Sequence, residues 1–247
     1  MMRSVRTHTP NLRAARAVLL PAVLFVFVAC RGEGEDPMLS RLRRTEPDPA
    51  TGPTSERIEE LESDVERYRE EVEQRFRATR NLVSAHRMLG MRYLEAGMDG
   101  QALDQFRKAI DLQPDNSTLY YYAGVAAGRY AGAALEEEIR EERLEMAERA
   151  YSRALELRPN YTSASYGLAI LYAYELERFE EARKHIDVVL DAWPADDRAF
   201  AVSAYVYAGL HRIDEAIREY DRVIEHTTSE SLRREARELQ RRLREER

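Results

Sequence analysis

Cysteine is almost missing from this sequence. Cys30 is the only one in 247 residues, so no intrachain disulfide can staple the fold and no paired-cysteine metal spacing can occur. Glycine (11) and proline (nine) are sparse and tryptophan occurs once, which excludes collagen-like and low-complexity classes. His8, His86, His185, His211 and His226 are scattered. There is no His-Glu-x-x-His run, and no Gly-rich loop precedes a Lys-Ser or Lys-Thr, so the motifs single out no metal, no cofactor and no catalytic residue. A basic excess is also lacking: 38 Lys and Arg stand against 45 Asp and Glu, a formal charge of −7. Such a surface repels nucleic-acid phosphates, which excludes nucleic acid as a partner. Finally, the most apolar stretch, Ala17 to Ala29, falls short of the roughly 20 residues that a permanent membrane helix needs.

What is present begins with that stretch. Arg3, Arg6, Arg13 and Arg16 precede or open the apolar run, and no acid occurs in residues 1–29. This is the layout of a secretory signal peptide, and its removal leaves a chain more acidic still. The run closes on Phe27-Val28-Ala29-Cys30. That tetrapeptide resembles the bacterial lipobox, in which an aliphatic residue and two small residues precede a cysteine that becomes lipidated. The resemblance implies a lipoprotein anchored through Cys30 by several acyl chains of the palmitate class, enough for stable membrane attachment. It implies a periplasm-facing envelope protein, and because Arg31 rather than Asp follows the cysteine, the outer membrane in a diderm host. The alternative is an ordinary cleaved signal with an incidental thiol. Residues 30–55 hold Pro37, Pro47, Pro49 and Pro53 with few large apolar side chains and read as a flexible tether.

From residue 56 to 80, Ile58, Leu61, Val65, Tyr68, Val72 and Phe76 recur at steps of three and four in a charged background, predicting an amphipathic leading helix. Either it packs on the first helices of the body, the favoured reading, or it forms a short coiled coil that makes a homo-oligomer. Beyond it the chain repeats. Leu89-Gly90-x2-Tyr93, Gly97, Ala102-x3-Phe106-x2-Ala109 and Pro114 define a set of columns. Ala102, Ala147, Ala182 and Ala216 form one column, and Phe106, Tyr151, Ile186 and Tyr220 the next, at steps of 45, 35 and 34. Gly90, Gly124, Ala169 and Ala204 step instead by 34, 45 and 35. Against a period of about 34, the offset places eleven extra residues between the helices of the second repeat and one between those of the third.

These landmarks resemble the tetratricopeptide repeat, with His86 where that family has tryptophan. The resemblance implies an all-α solenoid of four helix pairs, at 83–116, 117–161, 162–196 and 197–228. Residues 229–247 read as a capping helix with Leu232, Ala236, Leu239 and Leu243 on one face. It also implies a concave groove lined by the first helix of each pair. By spacing, the groove holds Arg87, Met91 and Leu94; then Tyr121, Val125 and Arg129; then Tyr166, Ile170 and Tyr174; then Arg198, Tyr205 and Gly209. Family members that clamp a peptide carboxylate use lysine and asparagine where this chain has Arg87 and Met91, so that clamp is not reproduced. Aromatics with a few arginines are instead the composition of a protein-binding surface. The expected function is a non-enzymatic, membrane-tethered scaffold binding protein partners of an envelope assembly. The rival is a regulatory subunit or hydrolase whose site has no motif, and the groove could also be filled by the chain's own leading or capping helix. The insert, Ala133 to Arg143, is rich in glutamate. If helical, and shared between its two neighbours, it extends each by about 8 Å as an acidic spur for a further partner.

Overall fold

The computed structural model describes residues 54–245. The signal 1–29, Cys30 and the tether up to residue 53 lie outside the described residues. The chain separates into a leading unit that ends at Glu62 and a body, Ser63–Arg247. Of the leading unit, Thr54–Glu62 is described and is the beginning of a helix in which Arg57 pairs with Glu60.

Among the described residues there is no strand, and nine α-helices follow one another. They are α1 (Ser55–Glu95), α2 (Asp99–Leu112), α3 (Ser117–Gly132), α4 (Glu137–Leu157), α5 (Thr162–Ile170), α6 (Phe179–Ala192), α7 (Asp197–Gly209), α8 (Ile213–His226) and α9 (Glu230–Glu245); a π-helical segment, Leu171–Glu175, continues α5. The second half of α1 with α2, then α3 with α4, α5 with α6 and α7 with α8 make four antiparallel pairs. The all-α solenoid is therefore the fold.

One device closes the first two pairs and recurs between pairs further along. Phe106 of α2 lies against Gly90 of α1, so close that a Cβ on Gly90 would stand 2.8 Å from the ring. Tyr151 of α4 covers Gly124 of α3, where the distance would be 2.7 Å, and also Gly167 of α5 in the next pair, at 2.6 Å. Phe179 of α6 covers Gly209 of α7 at 2.5 Å. Ala102, Ala147, Ala182 and Ala216 are fully buried along the second helices, which lets helix axes approach to the short end of the usual 8–10 Å. Gly124 and Gly128 of the Gly-x3-Gly-x3-Gly series face α4 or its rings, whereas a Cβ on Gly132 would meet nothing within 4 Å.

The turns explain the insertions. In the first repeat Gly97, at φ +71°, lets the Met98 N–H donate five residues back to the Tyr93 carbonyl at 2.8 Å. The fourth repeat closes identically, Arg212 to Tyr207 at 2.9 Å, with His211 at φ +57°. In the third repeat Arg178 donates six residues back, to Tyr172 at 2.8 Å. The single extra residue is absorbed as the π turn, with Leu176 N–H on the Leu171 carbonyl at 3.1 Å, leaving the packing faces in register. The eleven extra residues of the second repeat are divided unevenly. α3 has 16 residues and α4 21, against 14 in α2, α6 and α8. Ala133 to Glu136 form the connecting turn, so the spur is mostly an extension of α4 rather than two equal ones.

The leading helix differs from expectation. Within the body, residues 63–80 are not a separate helix packed on the first repeat; they run unbroken into it as part of α1. No glycine or proline lies between Phe76 and Val83 to break the helix, and Glu73–Arg77 at 2.9 Å supports its exposed side. Val65, Val72 and Phe76 are 60, 65 and 63% exposed. At the other end, α9 lays Leu232, Ala236, Leu239 and Leu243 against Phe200, Tyr220 and Val223. The Gln240 amide nitrogen donates to Asp221 at 2.7 Å.

The glycine-ring contacts predict a contrast between two helical glycines. Gly90→Leu is expected to cost about 1–3 kcal/mol by overpacking, lowering the melting temperature by about 2–4 °C per kcal/mol. Gly132→Ala, with open space around it, is expected to be neutral or to stabilise by less than about 1 kcal/mol. Thermal unfolding of the two variants checks this; equal effects would contradict the packing.

Candidate protein-binding interface

First helices of neighbouring repeats lie against one another, α3 with α5 and α5 with α7, while no pair of second helices approaches as closely. The body therefore curves with first helices inside, and side chains directed away from the glycine columns line that inner face.

The expected lining residues divide into two groups. In the first two repeats most are used by the core. Leu94 is buried at 8% exposure, a correction to its assignment: it lies one turn after Gly90, so the packing column of α1 passes through it. Met91 and Val125 are half-buried against the same core. Tyr121 packs among Tyr122, Tyr151 and Tyr161 at centroid distances of 5.1, 6.2 and 5.3 Å. Arg129 reaches back to Asp99 of α2 at 3.0 Å, tying the first two repeats. Arg87 is exposed and lines a cleft of about 540 Å³ between α1 and the turn Leu112–Asn116, with Phe76, Arg80 and Val83.

The third and fourth repeats keep their lining residues at the surface. Ile170 and Tyr174 are 36 and 45% exposed, and Arg198 is exposed at the start of α7. Tyr174 and Tyr205 stack at 4.4 Å with planes 14° apart. Phe179 meets Tyr205 edge-on at 5.9 Å, and Tyr166 meets Trp193 edge-on at 6.5 Å. Offset and edge-to-face contacts of this kind hold rings in fixed positions. The π turn sets Tyr174 in place, since without the added residue the end of α5 would present a different side chain to Tyr205. Gly209 does not line the face; it is the seat for Phe179. Trp193 and Phe179 belong to this surface although neither is on a first helix. Trp193, the lone tryptophan standing just before Pro194 and 38% exposed, carried the one sequence signal for it.

The α7 end of this face is fixed by a cap: the Asp196 carboxylate accepts from the backbone N–H groups of Arg198 and Ala199 at 3.0 and 2.9 Å. Asn116 caps α3 in the same way, accepting from Thr118 at 3.1 Å.

Phenols in and behind the inner face are shifted in one direction. Burial holds Tyr121, Tyr151, Tyr166 and Tyr174 above the ordinary tyrosine range, and neighbouring phenols and carboxylates add to it. Tyr220 and Tyr172 are each pushed up to about 12, again first by burial, and the Tyr172 hydroxyl donates to Glu148 at 2.7 Å. Rings held neutral this way supply apolar faces and hydroxyl donors. They are not tuned for proton transfer near neutral pH. Among the described residues no three His, Cys, Asp or Glu side chains gather where a metal would sit, and no helix is long and apolar enough to cross a membrane.

A tetratricopeptide repeat family model matches residues 137–197, from the spur helix α4 through the third repeat. Over that segment the chain is similar to the tetratricopeptide repeat. A TPR repeat-containing protein of Borreliella burgdorferi is 19% identical over 205 residues, covering 83% of this chain and 89% of that protein. Among solved structures, a thermophilic TPR protein of Thermus thermophilus superposes with a TM-score of 0.55 at 21% identity, over 63% of this chain and 80% of that one. MamA, residues 41 to the end, from Desulfovibrio magneticus RS-1 gives 0.54 at 18%, over 66% and 94%. YrrB, described as a TPR protein with an unusual peptide-binding site, gives 0.51 at 24%, over 63% and 74%. What these structures share with the chain is the fold, a stack of antiparallel helix pairs.

The phenol shifts set an alkaline limit to stability. Tyrosines whose folded pKa is raised above the unfolded value of about 10 favour the folded state fully below that pH. Their contribution is lost as pH rises from there through about 12, the value for Tyr172 and Tyr220. Ultraviolet titration should show part of the 14 tyrosines ionising only with unfolding; a single transition of all of them near their ordinary pKa with the fold intact would contradict the burial.

Proposed function

We propose that this protein is a lipid-anchored, periplasm-facing adaptor that recruits protein partners of an envelope assembly through the inner face of its third and fourth tetratricopeptide repeats. The observation that carries the reading is the partly exposed strip Ile170, Tyr174 and Trp193, mounted on rings that are themselves locked by Tyr166, Tyr205 and Phe179. A rigid aromatic patch loses little side-chain entropy on binding, and with Arg198 at its edge it has the composition of an interface hot spot. An extended or helical segment with apolar anchors is the occupant such a face accepts. YrrB, on the same fold, is described as having a peptide-binding site, which supports the assignment of binding to the stack. The anchor rests on the sequence: the signal 1–29, the segment Phe27-Val28-Ala29-Cys30 and the Pro-rich tether. Arg31 after the cysteine supports outer-membrane delivery in a diderm host.

Two measurements test this. Labelling cells with radioactive palmitate is expected to mark the wild type and leave Cys30→Ala unlabelled; equal labelling would refute the anchor. Capture of the chain from its native membrane should recover partners that the double variant Tyr174→Ala, Trp193→Ala loses. Truncating two anchors of a hot spot removes about 2 kcal/mol or more, some thirtyfold in affinity. Undiminished recovery with the fold intact would refute the site.

A further inference from the structure

The second helices splay apart on the outer side of the curve, and between α2 and α4 they leave a cleft of about 650 Å³. Its floor is apolar, formed by Leu103, Ile110, Met146 and Ala150. Its rim is cationic: Arg107, Lys108, Arg149 and Arg153 outnumber Asp104 and Asp111. Arg149 and Arg153 are paired to Glu145 and Glu156 at 3.1 and 2.7 Å. Arg107 and Lys108 are exposed and make no ion pair among the described residues. On a chain of formal charge −7, Arg107 and Lys108 are cations left without an ion-pair partner among the described residues, beside an apolar cleft.

The complementary element stands on the same molecule. Leu135, at the tip of the spur, is 103% exposed. Glu136, Glu137, Glu138, Glu141 and Glu142 follow it in the chain, all exposed. The two arginines of the spur are engaged below its tip. Arg140 holds Glu137 at 3.0 Å and Glu175 of the third repeat at 2.5 Å, leaving Glu136, Glu138, Glu141 and Glu142 as the acids in excess, and Arg143 lies over the Tyr130 ring at 3.4 Å and donates to its carbonyl at 2.8 Å. These contacts brace the spur and leave its tip acidic with one apolar side chain, the inverse of the cleft. A chain cannot fill its own cleft, because α4 carries both: Glu137 and Arg149 lie twelve residues apart, about 18 Å along a rigid helix at 1.5 Å per residue.

We propose that the spur of one copy docks in the outer cleft of a second copy, Leu135 entering the apolar floor and its glutamates facing Arg107 and Lys108. Donor and acceptor are different surfaces, so the contact is head-to-tail and propagates beyond a dimer. It is independent of the inner face, which stays open to other proteins. The contact is small and belongs to the weak class of interfaces, so it is read by covalent trapping rather than by purification of a complex.

The test places a photo-cross-linking amino acid at Leu135 of the full chain in its native envelope. Irradiation is expected to give a ladder of dimers and higher species, with adducts mapping to residues 103–111 or 146–153 of another copy. Arg107→Glu with Lys108→Glu should reduce the ladder about tenfold, as should Glu136→Lys with Glu138→Lys. Combining all four substitutions in one chain should restore it. These positions are exposed, and circular dichroism confirms that each variant folds. No adduct, adducts only to other proteins, adducts elsewhere on the chain, or failure of the combined variant to restore the ladder would each overturn the proposal.

Discussion

The contact on which the rest of the molecule depends is an aromatic ring laid on a helix that has no Cβ beneath it. Glycine inside a helix costs about 1 kcal/mol relative to alanine, and this chain accepts that cost at Gly90, Gly124, Gly167 and Gly209. At each, a ring of another helix stands where even a methyl group would collide. Burial of a large aromatic side chain returns about 1.5–3 kcal/mol, enough to outweigh the propensity loss. Tyr151 is the most constrained of these rings. It sits between Gly124 of its own repeat and Gly167 of the next and is 7% exposed, so one side chain sets both the spacing within a pair and the step between pairs.

Curvature follows from that step, and the two surfaces follow from the curvature. Small residues draw the first helices together, leaving inside the curve the aromatic side chains that packing does not consume. The second helices diverge, and the cleft between α2 and α4 opens on the outside. The inner strip at Ile170, Tyr174 and Trp193 thus depends on the same geometry as the outer cleft at Leu103, Ile110 and Met146. The two differ in chemistry. The strip is held by ring contacts, whereas the cleft and the spur are opposed in charge, so their binding is expected to differ in salt sensitivity.

Much of this was legible in the sequence because the repeat columns are spacing rules that packing enforces. The offset between first-helix and second-helix columns located both insertions, and the structure shows their forms: a π turn for one residue, and an extended α4 with a short turn for eleven. Periodicity did not say where α1 would end, since an amphipathic stripe at 56–80 has the same spacing whether it packs on a neighbour or runs on as part of a longer helix. Nor did spacing separate lining from core at Leu94, where one residue satisfies both columns. Trp193 and Phe179 escaped because they reach the inner face from the second helix and its turn, a relation of three-dimensional proximity with no period. Tyr174 was identified, but its position depends on the π turn, which a count of residues can locate without describing.

The central claim is that ring and glycine form one unit at Gly167 and Tyr151, and a thermodynamic cycle tests it most directly. Gly167→Ala is measured by chemical denaturation in the wild-type chain and again with Tyr151→Leu, whose shorter side chain no longer covers position 167. With tyrosine present the substitution is expected to destabilise, because the new methyl group strikes the ring. With leucine present it should become neutral or stabilise by up to about 1 kcal/mol, the ordinary helix preference for alanine. A substitution that stabilises equally in both backgrounds would show that the glycine is not there for the ring, and would contradict the account.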